Sequence, residues 1–238
     1  MALTMAFQPI VDVRQRQIYA YEALVRGVNG ESAGSILSQI TDENRYRFDQ
    51  TCRVTAVTLA KQLNLHQRLH INFLPNAVYS PENCIRVTLE TAQECGFPSD
   101  MITFEIVESE KIDDYQHLNN IIHHYKEIGF LTAMDDFGSG YSGFNALAEI
   151  RPNMVKLDIG LVRNVHASPA KQAIIRGLVA LCEELSILML AEGVETVEES
   201  QCLLKKGITL QQGYLFSKPG FQSLPEVPSA TWDLIFAD

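Results

Sequence analysis

Short apolar runs of strand character alternate with segments of helical periodicity, and this alternation restricts the fold more than any other feature of the chain. From residue 69 onward, the predicted strands cover residues 69–73, 102–107, 130–134, 154–157, 187–191 and 210–212. The predicted helices between them cover residues 80–96, 113–128, 141–148, 168–185 and 197–206. Strands joined by helices of this length indicate parallel βαβ units, arranged as a closed barrel or as an open doubly wound sheet.

The N-terminal region has a different pattern. Two strand-like runs, residues 6–13 and 17–26, are separated only by Arg14-Gln15-Arg16. This spacing predicts a hairpin, so the first two strands are expected to run antiparallel. A helix is predicted over residues 49–63. Since the sequence has no Ser/Gly tract or other sign of a linker, its 238 residues are predicted to form one domain, residues 1–238.

Polar residues at the ends of the predicted strands favour the barrel. In a barrel, functional groups come from the C-terminal ends of many strands, whereas an open sheet gathers its ligands at one switch point beside a glycine-rich first turn. The polar strand-end residues are Glu22, Asn72, Glu105, Asp135, Asp136, Lys156, Glu192 and Gln212. They come from at least six strands, and no early Gly-x-Gly-x-x-Gly motif precedes them. We therefore expect a closed α/β barrel.

Composition narrows the possible partners. The formal charge of −10 argues against nonspecific binding of duplex DNA or RNA, which requires a basic surface, although bound divalent cations would still permit an anionic ligand. The five cysteines are odd in number and scattered, as expected of reduced thiols. The N-terminus lacks the pattern of a signal peptide, and no stretch approaches 18 apolar residues. The sequence predicts a cytoplasmic protein that does not bind membranes.

The strand-end carboxylates would repel one another strongly. Two unit charges about 5 Å apart repel by roughly 3 kcal/mol at an effective dielectric constant near 20. If five carboxylates meet, the summed repulsion exceeds the net stability of a typical domain, about 5–15 kcal/mol. The site must therefore take up protons or cations, and we favour cations. Oxygen ligands suit Mg²⁺ or Mn²⁺, with Ca²⁺ as a competitor, and argue against zinc or copper. The six histidines lack ligand spacing and are interpreted as ordinary surface or core residues.

Each strand-end residue also has an ordinary structural interpretation. Glu22 alone could be an exposed strand residue, Asp135 and Asp136 could cap the next helix, and Lys156 could lie on the surface. Taken together, oxygen ligands at six strand ends favour a functional site. Arg26 lies four residues after Glu22, where its guanidinium could bind a phosphate that enters the barrel mouth.

At these residues the chain resembles the EAL-domain family of cyclic di-GMP phosphodiesterases. The motif that names the family is present as Glu22-Ala23-Leu24. The other motifs follow in family order as Phe7-Gln8-Pro9-Ile10, Ile71-Asn72, Phe104-Glu105-Ile106-Val107-Glu108, Asp135-Asp136-Phe137-Gly138, Val155-Lys156-Leu157-Asp158, Ala191-Glu192-Gly193-Val194-Glu195 and Gln212-Gly213-Tyr214. They span nearly the whole chain. The resemblance implies a (β/α)8 TIM-type barrel whose first strand is antiparallel, in agreement with the predicted hairpin.

The resemblance also implies roles for individual residues. One metal would be held by Glu22, Asn72, Glu105 and Asp135, and a second by Asp135, Asp136 and Glu192. The catalytic set would include Lys156, which orients or helps to deprotonate water, with Asp158 beside it, and Glu108 and Glu195, which support the loop that begins at Asp135. The positions that match substrate contacts are Gln8, Arg26 and Gln212.

From these matches we expect hydrolysis of cyclic di-GMP to linear pGpG with two Mg²⁺ or Mn²⁺ ions, and we expect Ca²⁺ to inhibit. One alternative is a receptor that binds cyclic di-GMP in the same pocket without cleaving it. Another is a barrel lyase that uses Lys156 as a Schiff base. Family members commonly pair through the loop after Asp136, whose Gly138, Gly140 and Gly143 give it backbone freedom, so a homodimer is expected.

Overall fold

A computed structural model describes residues 2–78, 80–106, 115–139 and 144–237, which form a closed barrel surrounded by helices. The strands are β1 (Leu3–Asp12), β2 (Gln17–Gly27), β3 (Arg68–Phe73), β4 (Ile102–Ile106), β5 (Leu131–Phe137), β6 (Met154–Leu157), β7 (Leu188–Ala191), β8 (Leu210–Gln212) and β9 (Gly220–Phe221). Strands β2 to β8 lie side by side in chain order. Strand β1 pairs with both β2 and β8 and thereby closes an eight-stranded barrel.

The first strand runs against its neighbours, as predicted. Strand β1 is antiparallel to β2, with Asp12 opposite Gln17 at the hairpin turn, and antiparallel to β8. The remaining neighbours from β2 to β8 are parallel. The short strand β9 pairs with Ala6 and Phe7, in the part of β1 that β8 does not reach. The structure therefore confirms a TIM-type (β/α)8 barrel with an antiparallel first strand.

The helices described are α1 (Ala33–Leu37), α2 (Arg45–Gln62), α3 (Pro81–Cys95), α4 (Tyr115–Glu127), α5 (Phe144–Ile150), α6 (Ile159–Val162), α7 (Pro169–Glu184), α8 (Val197–Lys205) and α9 (Ser229–Ile235). The longer ones match the predicted helices to within a few residues. Local signals set their ends: Ser168 caps α7 by accepting a hydrogen bond from the Lys171 N–H, and Gly96 ends α3 in a left-handed conformation. In the part of the chain that the structure describes, none of the helices is long and apolar enough to span a bilayer.

Two apolar regions hold the barrel together. On the outer side of the barrel, the rings of Phe73, Phe104, Tyr125 and Phe130 pack in edge-to-face and tilted pairs, with centroids 5.1–6.2 Å apart, between strands β3 and β4 and helix α4. Inside the barrel, a second cluster forms what we call the apolar floor. Its members are Ile10, Ala20, Ala133, Met154, Leu190 and Leu210. Because strand side chains alternate between faces, the residues two positions further toward the barrel mouth also face the interior.

Candidate active site

A layer of polar side chains lies directly above the apolar floor. We call it the polar layer, and its members are Gln8, Glu22, Asn72, Glu105, Asp135, Lys156, Glu192 and Gln212. Six of them lie two residues from a floor residue on the same strand, as Glu22 does from Ala20 and Lys156 does from Met154. The barrel thus brings residues from all eight of its strands to one place at the carboxyl ends of the parallel strands.

Lys156 lies at the centre of the polar layer. Its side chain is fully buried, and its Nζ is 2.7 Å from Glu105 Oε2, 2.8 Å from Asp135 Oδ1, 2.9 Å from Glu192 Oε1 and 3.8 Å from Glu22 Oε1. Burial alone would lower the pKa of Lys156, but the four carboxylates outweigh that effect and raise the pKa well above its ordinary value. The side chain is therefore an ammonium ion, which donates hydrogen bonds and cannot accept a proton.

Two of the acids around Lys156 are themselves perturbed. Burial and the neighbouring carboxylates raise the pKa values of Glu105 and Glu192 well above the ordinary value, and the Lys156 charge offsets only part of that rise. A single ammonium ion thus leaves the carboxylates under-compensated. The polar layer and Asp136 together contain five carboxyl groups and one ammonium ion, a formal charge of −4 when all are ionised. Two divalent cations would balance that charge.

Hydrogen bonds hold Glu22 in place within the polar layer. Glu22 Oε1 accepts a hydrogen bond from Asn72 Nδ2 at 2.8 Å, and its Oε2 accepts one from Gln212 Nε2 at 2.8 Å. Gln212 also donates to Gln8 Oε1 at 3.3 Å. Since Asn72 uses its nitrogen toward Glu22, its amide oxygen is left as the atom that could bind a cation. Four residues predicted to bind metal or substrate thus form one hydrogen-bonded network.

A β-bulge explains how two consecutive aspartates can serve one site. Strand β5 was predicted to stop at residue 134, but it continues to Phe137, and its register with β6 shifts between Met134 and Phe137. Within this bulge Asp136 has a φ of 54°, a left-handed conformation that aspartate tolerates better than most residues. Strict alternation would send the two carboxylates to opposite faces. The bulge instead places ligand oxygens of Asp135, Asp136 and Glu192 within 4.8 Å of one another.

His70 is a site residue that the sequence analysis did not identify. It is fully buried on β3, and its Nδ1 lies 2.7 Å from Glu105 Oε1. Burial and the Lys156 charge lower the pKa of His70 to about 3, so the ring is neutral. The signal was available, because His70 is two residues before Asn72 on a predicted strand and shares its face. It was missed because the histidines were judged by metal-ligand spacing alone.

Three predicted site residues that the structure describes lie outside this network. Asp158 follows β6 and caps α6 by accepting a hydrogen bond from the Gly160 N–H at 2.7 Å. The carboxylate of Glu195 pairs with the guanidinium of Arg163 through two contacts, one of 2.5 Å. The guanidinium of Arg26 donates to the Val25 carbonyl at 2.7 Å. Glu108 lies outside the described residues.

Two clefts open beside the polar layer, one on each side of Glu22. The first has a volume of about 280 Å³ and joins Glu22, Asn72 and Asp135 to a mainly apolar wall. That wall includes Leu24, Val25, Leu37, Phe48, Cys52 and Ile71. The second cleft, about 240 Å³, is lined by Glu22, Glu192, Gln212 and Tyr214 among others. The first cleft could therefore hold an apolar or aromatic ring, and the second offers mainly polar and acidic side chains to a ligand.

Solved structures with the same fold contain a cyclic dinucleotide. A standalone versatile EAL protein from Vibrio cholerae O395, in a c-di-GMP-bound form, is 52% identical with a TM-score of 0.93, and the match covers 96% of this chain and 97% of that one. BlrP1 of Klebsiella pneumoniae, in a manganese and c-di-GMP complex, is 36% identical with a TM-score of 0.90, covering 95% of this chain and 58% of that one.

Curated relatives are longer proteins. The antirepressor BluF of Escherichia coli, regulated by blue light and temperature, is 32% identical over 223 residues, which are 93% of this chain and 55% of the relative. The cyclic di-GMP phosphodiesterase PdeR of the same species is 35% identical over 143 residues, 60% of this chain and 21% of the relative. The chain thus spans about half of the first and a fifth of the second.

The family model for the EAL domain matches residues 2–219, which include every strand of the barrel and all the residues of the polar layer. The motif Glu22-Ala23-Leu24 lies on β2 with Glu22 facing the barrel interior. The chain belongs to the EAL-domain family.

Proposed function

We propose that this protein hydrolyses cyclic di-GMP to linear pGpG with the help of two divalent cations, Mg²⁺ or Mn²⁺. The observation that carries the proposal is the cluster of buried and partly buried carboxylates around Lys156, whose charge one ammonium ion cannot balance. Three comparisons support the proposal: c-di-GMP is bound to the Vibrio protein, manganese is present in the BlrP1 complex, and PdeR is named as a cyclic di-GMP phosphodiesterase.

The donor set fits hard cations. Glu22, Asn72, Glu105 and Asp135 would hold one ion through oxygen atoms, and Asp135 with Asp136 and Glu192 would hold the second. Divalent cations at such a site make water more acidic and stabilise the charge that develops on a phosphate.

The chain's own residues would bind and orient the substrate. As an ammonium ion, Lys156 would donate hydrogen bonds to the attacking water or to a phosphate oxygen, so we assign it an orienting role and not that of a base. The two clefts beside Glu22 match the two guanine bases, and the guanidinium of Arg26 would bind a phosphate after it leaves the Val25 carbonyl. Hydrolysis then adds one water across a single phosphodiester bond and opens the ring.

Asp158 and Glu195 would act through the chain segments they hold. Asp158 fixes the turn that follows Lys156, because it caps α6. Glu195 ties the segment after Glu192 to Arg163, beyond α6. The proposed support of the loop after Asp135 by Glu108 remains a prediction.

A direct assay tests the proposal. Purified protein is incubated with cyclic di-GMP in Mg²⁺, in Mn²⁺ and in excess chelator, and the nucleotides are separated by chromatography. We expect pGpG with either ion and none with chelator, and we expect Asp135→Asn to be inactive because it removes the charge shared by both ions. Failure to form pGpG with either ion, under conditions where cyclic di-GMP binds, would refute the hydrolase proposal.

A receptor is the second candidate, and one observation favours it: the relative BluF is named as an antirepressor and not as an enzyme. In that case cyclic di-GMP would bind in both clefts and remain intact in the same assay. The barrel lyase has less support, since a Schiff base requires a neutral, nucleophilic amine and Lys156 is held charged by four carboxylates.

Homodimer formation remains a prediction, because residues 140–143 of the loop after Asp136 lie outside the described residues. Sedimentation and specific activity measured across a dilution series would test it. A monomer that is fully active at every concentration would contradict a role for dimers in activity.

A further inference from the structure

His70 and Glu105 form a buried pair across neighbouring strands of the barrel. Strands β3 and β4 are parallel, with His70 opposite Thr103 and Asn72 opposite Glu105. His70 therefore lies on the interior side, one step below Glu105 on the β4 side and opposite Glu22 on the β2 side. Both side chains are fully buried, and Nδ1 of His70 lies 2.7 Å from Oε1 of Glu105.

Each oxygen of Glu105 has a separate partner. Oε1 contacts His70, and Oε2 lies 2.7 Å from Lys156 Nζ, which also contacts Asp135 and Glu192. Oε2 is thus the oxygen that faces the carboxylate cluster. With a cation bound, Glu105 would be an ionised carboxylate that only accepts hydrogen bonds, and His70 would then donate through Nδ1–H. With Oε1 held, the carboxylate cannot rotate about its terminal bond to exchange its two oxygens.

We propose that His70 is a positioning residue, which holds the Glu105 carboxylate so that one oxygen is presented to a bound cation. This inference rests on the proposed metal-dependent function. Hydrogen bonds from neighbouring side chains orient metal ligands in proteins, and their loss typically weakens metal affinity by about 10–100-fold. The competing explanation is that His70 only fills space inside the barrel.

The two explanations differ in what can replace the imidazole. His70→Leu fills much of the space but removes the donor, and His70→Val does the same with a side chain that suits a strand. His70→Asn keeps a donor, because its amide nitrogen branches from the same carbon as Nδ1 of histidine. Thr103→Val is the matched control, since it alters the neighbouring buried position on β4 and leaves His70 and Glu105 in place.

The readout is Mn²⁺ affinity, measured by titration calorimetry on protein shown to be folded by circular dichroism. We expect His70→Leu and His70→Val to bind Mn²⁺ about 10–100-fold more weakly than wild type. His70→Asn should recover most of that loss, and Thr103→Val should bind as wild type does. Wild-type affinity in a folded leucine or valine variant would overturn the inference.

Two further outcomes are decisive. If the wild type binds no Mn²⁺, the proposed metal-dependent function fails, and His70 has no such role. If neither apolar variant folds, the Mn²⁺ affinity of His70→Asn becomes the test. We then expect an affinity near that of wild type. A loss of about 10-fold or more, despite the retained donor, would overturn the inference.

Discussion

Replacing Lys156 by methionine would remove the ammonium ion from the polar layer while keeping most of the side-chain volume. Three carboxylates within 2.9 Å of Nζ, and Glu22 at 3.8 Å, would lose their buried counter-charge. Removing one partner of a buried ion pair costs about 3–5 kcal/mol. At about 2–4 °C per kcal/mol for a domain of this size, Tm should fall by roughly 6–20 °C in metal-free protein.

The fall in Tm caused by Lys156→Met should depend on pH, and the direction of this dependence follows from the raised pKa values of Glu105 and Glu192. A carboxyl group whose pKa is higher in the folded state stabilises that state at low pH, and its contribution is lost as pH rises through the folded pKa. Without Lys156 these pKa values rise further. The difference in Tm between wild type and Lys156→Met should therefore be smaller at pH 5 than at pH 8.

Calorimetric unfolding at both pH values, with and without Mn²⁺, tests this reasoning. Bound cations would replace the lost charge, so Mn²⁺ should raise the Tm of the variant by more than that of wild type. Lys205→Met is the matched control, because that lysine is exposed on α8, and its Tm should not change. A metal-free Lys156→Met protein as stable as wild type, or a difference in Tm that does not depend on pH, would refute the electrostatic argument.

Two other predictions concern the site geometry and the metal. Gly213→Ala should lower the free energy of unfolding by about 3 kcal/mol or more and impair turnover, because a Cβ at this position, beside Gln212, would lie 2.0 Å from the Val194 carbonyl oxygen. The control is Gly177→Ala, in open space on α7, which should leave Tm unchanged or slightly higher. Thermal unfolding and activity assays of the two variants test this prediction. Ca²⁺ should bind but support little hydrolysis, because its looser and larger coordination changes the spacing between two ions; comparable initial rates in Ca²⁺ and Mn²⁺ would contradict this.

The position of polar residues at the ends of apolar runs explains why most of the polar layer could be predicted from the sequence. Once residues 154–157 were assigned to a strand, Lys156 was placed at the carboxyl end of that strand, and the same argument applies to Glu192 and Gln212. The antiparallel first strand followed from the short spacing between two strand-like runs. Both features depend on local sequence patterns, and a single sequence is enough to show such patterns.

The features that could not be predicted depend on tertiary structure. The bulge that turns both Asp135 and Asp136 toward the site requires a left-handed residue at Asp136, and no glycine marks that position. Lys156 was predicted to lie among the carboxylates, but its central position depends on the closure of the barrel. Helices α1 and α6 and strand β9 have five residues or fewer, too few for a periodic pattern.

The carboxylate of Asp136 is expected to lower the stability of the metal-free protein, because it lies beside two other carboxylates that a cation would bind together with it. Asp136 combines a left-handed φ with a charge that lies within 4.8 Å of Asp135 and Glu192. Asparagine tolerates the same φ, so Asp136→Asn removes the charge without changing the backbone preference. Repulsion at this distance, screened by partial exposure, amounts to about 1 kcal/mol, which corresponds to roughly 2–4 °C in Tm.

We therefore expect Asp136→Asn to unfold at a higher temperature than wild type without metal, and to gain less than wild type when Mn²⁺ is added. The order of the two Tm values should reverse between chelator and saturating Mn²⁺, because the same carboxylate that destabilises the metal-free protein would bind the ion. Differential scanning calorimetry in both conditions measures the four values. A variant that is less stable than wild type in chelator would show that the carboxylate of Asp136 stabilises the fold by itself, and the argument for a cation at this bulge would lose its basis.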